Sequence, residues 1–220
     1  MIDTLLRLYL GEITGPQVLA GRIQRGDMES IHAVIWFSDL RGFTALSGEV
    51  APKSLIHTLN EVFDCQVLAI QKHGGEVLKF IGDGLFAIFP TNGAQDQSTI
   101  CNRALDAATE AFLALGSLNE RRLARGEPVV RFGLALHVGE VAYGNIGGAA
   151  RLDFTCIGPA VNLAARLEGL TGKLGHDIVV SEAFAALTSR PMKDAGRHAL
   201  KGITEPQRVF VPCSSDEIRT

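Results

Sequence analysis

At 220 residues, 46% of them hydrophobic, with a net charge of −3, the chain can bury one full core and carries no basic field for nucleic-acid or membrane-surface binding. Four cysteines (Cys65, Cys101, Cys156, Cys213) lie far apart without a CxxC pair and six histidines are scattered. Neither a disulfide framework nor a zinc site is therefore expected, and the setting reads as reducing and cytoplasmic.

The first 28 residues join a short apolar run, LLRLYLG, to a polar, glycine-punctuated stretch, GRIQRGDMES. They lack the series of a signal peptide, and no apolar run reaches bilayer-spanning length. Residues 1–28 are expected to be an extension or connector of the kind that follows an upstream sensor region, residues 29–213 one domain, and 214–220 a tail. A strand is predicted over 31–38, where VIWFS breaks at Asp39. Apolar residues at three- and four-residue spacing from Leu55 to Ile70 mark a helix over 52–72, ended by His73-Gly74-Gly75. EVLKFIGDGLFAIF reads as two short strands reversing at Gly82-Asp83-Gly84, and Ile100, Ala104, Ala107, Ala108, Ala111 and Leu115 make the stripe of a helix over 97–124. VVRFGLALHVGEVAYGNIG resumes the β pattern, followed by a strand near 152–157, a helix opening at Pro159 and a smaller αβ segment ending in RVFVP. Glycine-rich GNIGGAA, 144–150, matches neither GxGxxG nor a Walker A loop and is expected to be a flexible connection. The order predicts one sheet with helices on one side.

If the hairpin lies beside the first strand, Asp39 and Asp83 meet at one edge of the sheet. Paired hard oxygen ligands there, completed by phosphate oxygens, suit magnesium or manganese. A helix cap for Asp39 and an ordinary Asp-Gly turn for Asp83 are the simpler alternatives. Backbone amides within LRGFT, at the start of a helix, offer a phosphate site beside Asp39. Asn162 and Arg166, four apart, share one helix face, where an amide and a guanidinium suit a sugar and a phosphoryl oxygen.

Taken together, FSDLRGFT (37–44), LKFIGDGLFAIF (78–89), RFGLALHVGEVAYGNIG (131–147), LDFTCIGPAVNLAARLE (152–168) and LKG (200–202) resemble the class III nucleotidyl cyclase catalytic domain, in order, over about 30–212. The resemblance implies an α/β (α+β) fold with a ferredoxin-like or polymerase-palm-like core. It also implies a head-to-tail homodimer whose active sites lie at the interface. Two divalent ions, Mg²⁺ or Mn²⁺, would be held by Asp39, Asp83 and the Leu40 carbonyl, activating the ribose 3′-hydroxyl and holding the triphosphate. Gly42, Phe43 and Thr44 would cradle phosphate. Arg131 would reach the triphosphate from the metal-binding protomer and Lys201 from its partner. Asn162 would orient the ribose and Arg166 stabilise charge at the α-phosphate.

Lys79 matches the lysine that reads adenine N1, where guanylate cyclases place a glutamate. Thr155 stands where many adenylate cyclases place an aspartate, and resembles a bacterial subclass with threonine, some of whose members respond to bicarbonate. Pro159 replaces a common aspartate but is tolerated in a first helical turn. His137 is read as structural, and Asp153 and Glu168 as supporting the dimer or their neighbours. The expected function is ATP conversion to 3′,5′-cyclic AMP and pyrophosphate. The alternatives are a guanylate cyclase, a silent nucleotide-binding regulatory module, and a palm-type polymerase or cyclic dinucleotide synthase, which would share the aspartates but not Lys79 or the Asn162/Arg166 helix.

Overall fold

The computed structural model describes residues 2–11, 14–21, 24, 26–91, 96–148 and 150–213; the tail expected over 214–220 lies outside them. Two short helices, α1 (Ile2–Leu10) and α2 (Thr14–Leu19), precede the long central strand β1 (Met28–Leu40). After β1 come α3 (Phe43–Glu49), α4 (Pro52–Lys72), the hairpin β2 (Glu76–Ile81) and β3 (Gly84–Thr91), and α5 (Gln97–Ala124). Then follow β4 (Phe132–Gly148), β5 (Arg151–Ile157), α6 (Pro159–Glu168), α7 (Thr171–Leu174), β6 (Ile178–Ser181), α8 (Glu182–Ala185), β7 (Met192–His198) and β8 (Gln207–Pro212).

The strands form one sheet in the order β2-β3-β1-β4-β6-β8-β7, with β5 paired to the far half of β4. Among the described strands, only β4 and β6 pair in parallel. The central strand is buried on both faces between Ala33 and Trp36, as a strand covered on two sides must be. Val34 and Trp36 join Ile100, Ala104 and Ala108 of α5 in one apolar cluster, while Ala33 and Ile35 face Ala160 and Ala164 of α6 in another. Helices thus cover both sides of the sheet, correcting the one-sided expectation: the small stripe of α6 lets a second helix lie close on the opposite face.

The predicted bounds of α4 and α5 coincide with the helices, and Pro52 stands at the start of α4, where its missing N–H costs nothing. Residues 144–148, expected as a connection, instead extend β4, pairing Gly144 with Thr155 and Gly148 with Arg151. The glycines there serve close approach. A Cβ on Gly144 would sit 2.0 Å from the Asp27 carbonyl oxygen and one on Gly147 2.2 Å from that of Arg151, at φ values of +155° and +153° that other residues rarely adopt.

The end of β1 is fastened from the α4 side. Ser38 Oγ donates to Gln66 Oε1 at 2.6 Å and Trp36 Nε1 to the same oxygen at 3.3 Å, so these buried polar atoms are satisfied where the strand meets its terminal aspartate. On the sheet's other side, α2 is docked through a buried cluster. The Thr14 amide donates to Glu76 Oε1 at 2.9 Å, Thr14 Oγ1 lies 2.7 Å from the Tyr143 hydroxyl, and that hydroxyl donates to Glu76 Oε2 at 3.2 Å.

Candidate active site

Antiparallel register brings the acidic motif together. Asp39 lies opposite Gly133 of β4, and its neighbour Ser38 opposite Leu85 of β3. Because β2 and β3 are joined by only Gly82 and Asp83, the turn is carried to the end of β1. The approach is tight: a Cβ on Gly84 would be 2.8 Å from the Ser38 carbonyl oxygen and 3.2 Å from Asp39 Oδ1. Burial, the charge of Asp83 and a hydrogen bond with its side chain push the Asp39 carboxyl up to about 6, against a backbone hydrogen bond at Leu40 that lowers it. A like-charged pair at this separation is relieved by a cation, and carboxylate with backbone carbonyl oxygen is the donor set that Mg²⁺ and Mn²⁺ take. Among the described residues no three His, Cys, Asp or Glu side chains converge closely enough to enclose an ion, so an ion held by the two aspartates would need water or substrate oxygens to complete its shell.

Asp39 does not cap α3. Gly42 occupies that position with φ +72°, and no side chain accepts a capping bond, so the amides of Phe43 and Thr44 open the helix beside the aspartates. Arg131 reaches the same end of the sheet, since the Arg41 amide donates to its carbonyl at 2.8 Å. Its own side chain is exposed and unpaired among the described residues. Asp39, Leu40, Asp83, Gly42 to Thr44 and Arg131 are therefore gathered by one chain.

The remaining residues form a second group. Lys79 of β2 makes an ion pair with Asp153 of β5, two residues before Thr155 on the same strand face. Thr155 itself is only 7% exposed. Asn162 and Arg166 project from α6, exposed and without partners among the described residues. Lys201, in the turn between β7 and β8, is likewise exposed. Between that turn and the start of α6 lies a cavity of about 740 Å³, lined by Pro159, Leu163, Gly202 and Ile203.

The chain that carries these two groups matches a known family. The description "Adenylate and Guanylate cyclase catalytic domain" fits residues 27–211. The chain belongs to this cyclase family. An adenylate cyclase of Anabaena cylindrica is 35% identical over 173 residues, which are 77% of this chain and 33% of that protein. The chain thus spans roughly a third of the length of that curated relative. Among solved structures, the adenylyl cyclase CyaB from P. aeruginosa is 26% identical with a TM-score of 0.77, covering 86% of this chain and 97% of that one. The guanylyl cyclase Cya2 is 28% identical with a TM-score of 0.73, covering 83% and 92%. Members named for either nucleotide are thus similarly close to this cyclase domain, so overall likeness leaves the base to individual residues.

Two residues of the last long motif, expected only to support the dimer or their neighbours, take on particular partners in the fold. Asp153 is the partner of Lys79, a relation hidden because β2 and β5 are far apart in the chain and not adjacent in the sheet. Glu168, at the end of α6, is pushed up to about 7 by burial and by the charges of Asp39 and Asp83, which places it within their field. His137, in contrast, is fixed as the sequence suggests. It is 7% exposed, its Nδ1 lies 2.8 Å from Ser181 Oγ, and burial lowers its pKa to about 4, which keeps the ring neutral.

Among the described residues, no helix is long and apolar enough to cross a membrane.

Proposed function

We propose that this domain is an adenylate cyclase, converting ATP to 3′,5′-cyclic AMP and pyrophosphate at sites shared between two copies of the chain. The observation that carries the choice of ATP is the Lys79–Asp153 ion pair beside Thr155. A lysine held in place can donate to adenine N1 but cannot accept the N–H groups that guanine presents there. The Thr155 hydroxyl, able to accept, would take the adenine amino group, as expected for the threonine subclass.

The shared site is supported by helix geometry. At about 100° per residue, Arg166 and Glu168 project from α6 roughly 200° apart. Glu168 lies in the field of Asp39 and Asp83 of its own chain, so Arg166 points away from them, and with Asn162 it faces outward for a partner's aspartates. Exposed apolar side chains at Ile81 and Ile157, on the same strand faces as Lys79 and Asp153, suit the covered face such a dimer needs.

Within the site, Asp39, Asp83 and the Leu40 carbonyl would hold the divalent ions, which supply charge neutralisation and activation of the ribose hydroxyl. The α3 amides and Arg131 bind the triphosphate from one side, and Lys201 of the other copy binds it from the opposite side. Asn162 orients the ribose toward the α-phosphorus, and the Arg166 fork stabilises charge on the α-phosphate as the 3′-oxygen bonds to phosphorus and pyrophosphate departs. Most of the acceleration then comes from positioning and electrostatics.

The test is a product assay of the concentrated protein with ATP and, separately, GTP, in Mn²⁺ and in Mg²⁺, with Asp39→Ala alongside. Cyclic AMP from ATP that disappears in the variant is the expected result. Cyclic GMP as the main product would reassign the base, and no product from demonstrably dimeric protein would make the domain a regulatory module.

A further inference from the structure

Glu168 ends α6 turned toward the sheet. Its Oε1 accepts from Thr171 Oγ1 at 3.3 Å, and the same oxygen would lie 2.6 Å from a Cβ on Gly133, the residue directly opposite Asp39. The carboxylate is therefore packed over the strand pair that ends in the aspartate, reaching it from α6 while Asp83 arrives from the hairpin. The groups that act on it are Asp39 of β1 and Asp83 of the turn, which raise its pKa, and the Thr171 hydroxyl of α7 and Arg41, which lower it. Arg41 is partly engaged elsewhere, donating to the His176 carbonyl at 2.6 Å and pairing with Asp177 at 3.1 Å. Glu168 thus feels two other carboxylates and one incompletely committed guanidinium.

We propose that Glu168 is a third carboxylate of the cation site: a positioning residue that orients the water shell of a divalent ion held by Asp39 and Asp83, and deepens its attraction, without being a ligand itself. The inference rests on the reading of those two aspartates as the cation's ligands. Glu168 lies outside the closest shell, because no three such side chains among the described residues converge on a point. An outer carboxylate separated from a dication by one water layer still acts through a partly buried, weakly screened path. Asp39, Asp83 and Glu168 all belong to one chain, so the effect requires neither nucleotide nor a second copy.

The experiment titrates the full chain with Mn²⁺ alone at about pH 8, where Glu168 is ionised, following free Mn²⁺ by electron paramagnetic resonance. Glu168→Gln keeps the shape of the side chain and an oxygen to accept from Thr171, so it removes the charge while sparing the contact. Its Kd for Mn²⁺ should rise on the order of tenfold, with Glu168→Asp recovering part of the loss. Thermal melts provide the second reading. Without metal, Glu168→Gln should melt no lower than the native protein, and Mn²⁺ should raise its Tm by less. An unchanged Kd and an unchanged Mn²⁺ shift would overturn the proposal while leaving the aspartates in place. Native protein that binds no Mn²⁺, or Asp39→Ala protein that binds it as well as the native, would overturn both readings.

Discussion

Lys79 and Asp153, on strands that are not neighbours in the sheet, are joined by an ion pair across the exposed side of β2 and β5. The pair spans 74 positions of sequence and holds the lysine proposed to read the base. Asp153→Ala should therefore loosen Lys79 without unfolding the domain, since an exposed pair adds little stability. The expected effect is a roughly tenfold rise in KM for ATP with a smaller change in kcat, the pattern of lost positioning in the bound state. Steady-state kinetics with ATP would check it, and native-like KM would remove Asp153 from the site.

Asp39→Ala and Asp83→Ala should each reduce cyclic nucleotide formation to background. Each also removes one member of a repelling pair, so the metal-free variants should melt at or above the native temperature. Mixing Asp39→Ala with Arg166→Ala protein should restore activity through heterodimers that hold one intact site. Heterodimers shown to form, yet inactive, would contradict a shared site.

Tyr143→Phe strips a hydroxyl from the cluster with Thr14 and Glu76, leaving buried oxygens short of a partner. A loss of about 1–3 kcal/mol in urea unfolding is expected. Thr14→Ala should cost a similar amount through the same cluster, and the double variant should fall short of the sum because the contacts are shared.

The neutral, buried His137 gives a stability slope of definite sign. Its folded pKa, lowered to about 4, lies below the unfolded value, so between these the unfolded chain takes up a proton that the folded chain refuses. Its contribution is full above the unfolded pKa of about 6.5 and is lost as pH falls toward 4. Replacing it by Gln should flatten the fall in melting temperature between about pH 7 and pH 5; an unaltered slope would place the titration elsewhere.

Much of the architecture was legible because it is periodic. The stripes of α4 and α5 and the Gly82-Asp83 reversal are local patterns, and a turn so short leaves one place for Asp83. The motifs could likewise be matched in order along the chain. What was hidden depends on partners distant in sequence. GNIGGAA looks flexible by composition, yet its glycines admit the backbones of Asp27 and Arg151, which only the folded sheet reveals. The packing of α6 on the second face follows from Ala160 and Ala164 meeting Ala33 and Ile35, a fit of small residues that no single stripe announces. From sequence, Asp153 and Glu168 read only as supporting residues, because their particular partners, Lys79 for the one and the Asp39 end of β1 for the other, are set by the folded sheet.

Two residues without any reactive group border the acidic centre: Gly84 presses on Ser38 and Asp39, and Gly133 makes room for Glu168 and Thr171. A saturation survey of variants scored by activity should find both nearly as intolerant as the aspartates, with even alanine rejected. Such a map would outline a site larger than its chemistry, and the difference between the two outlines would be empty space that selection has to keep empty.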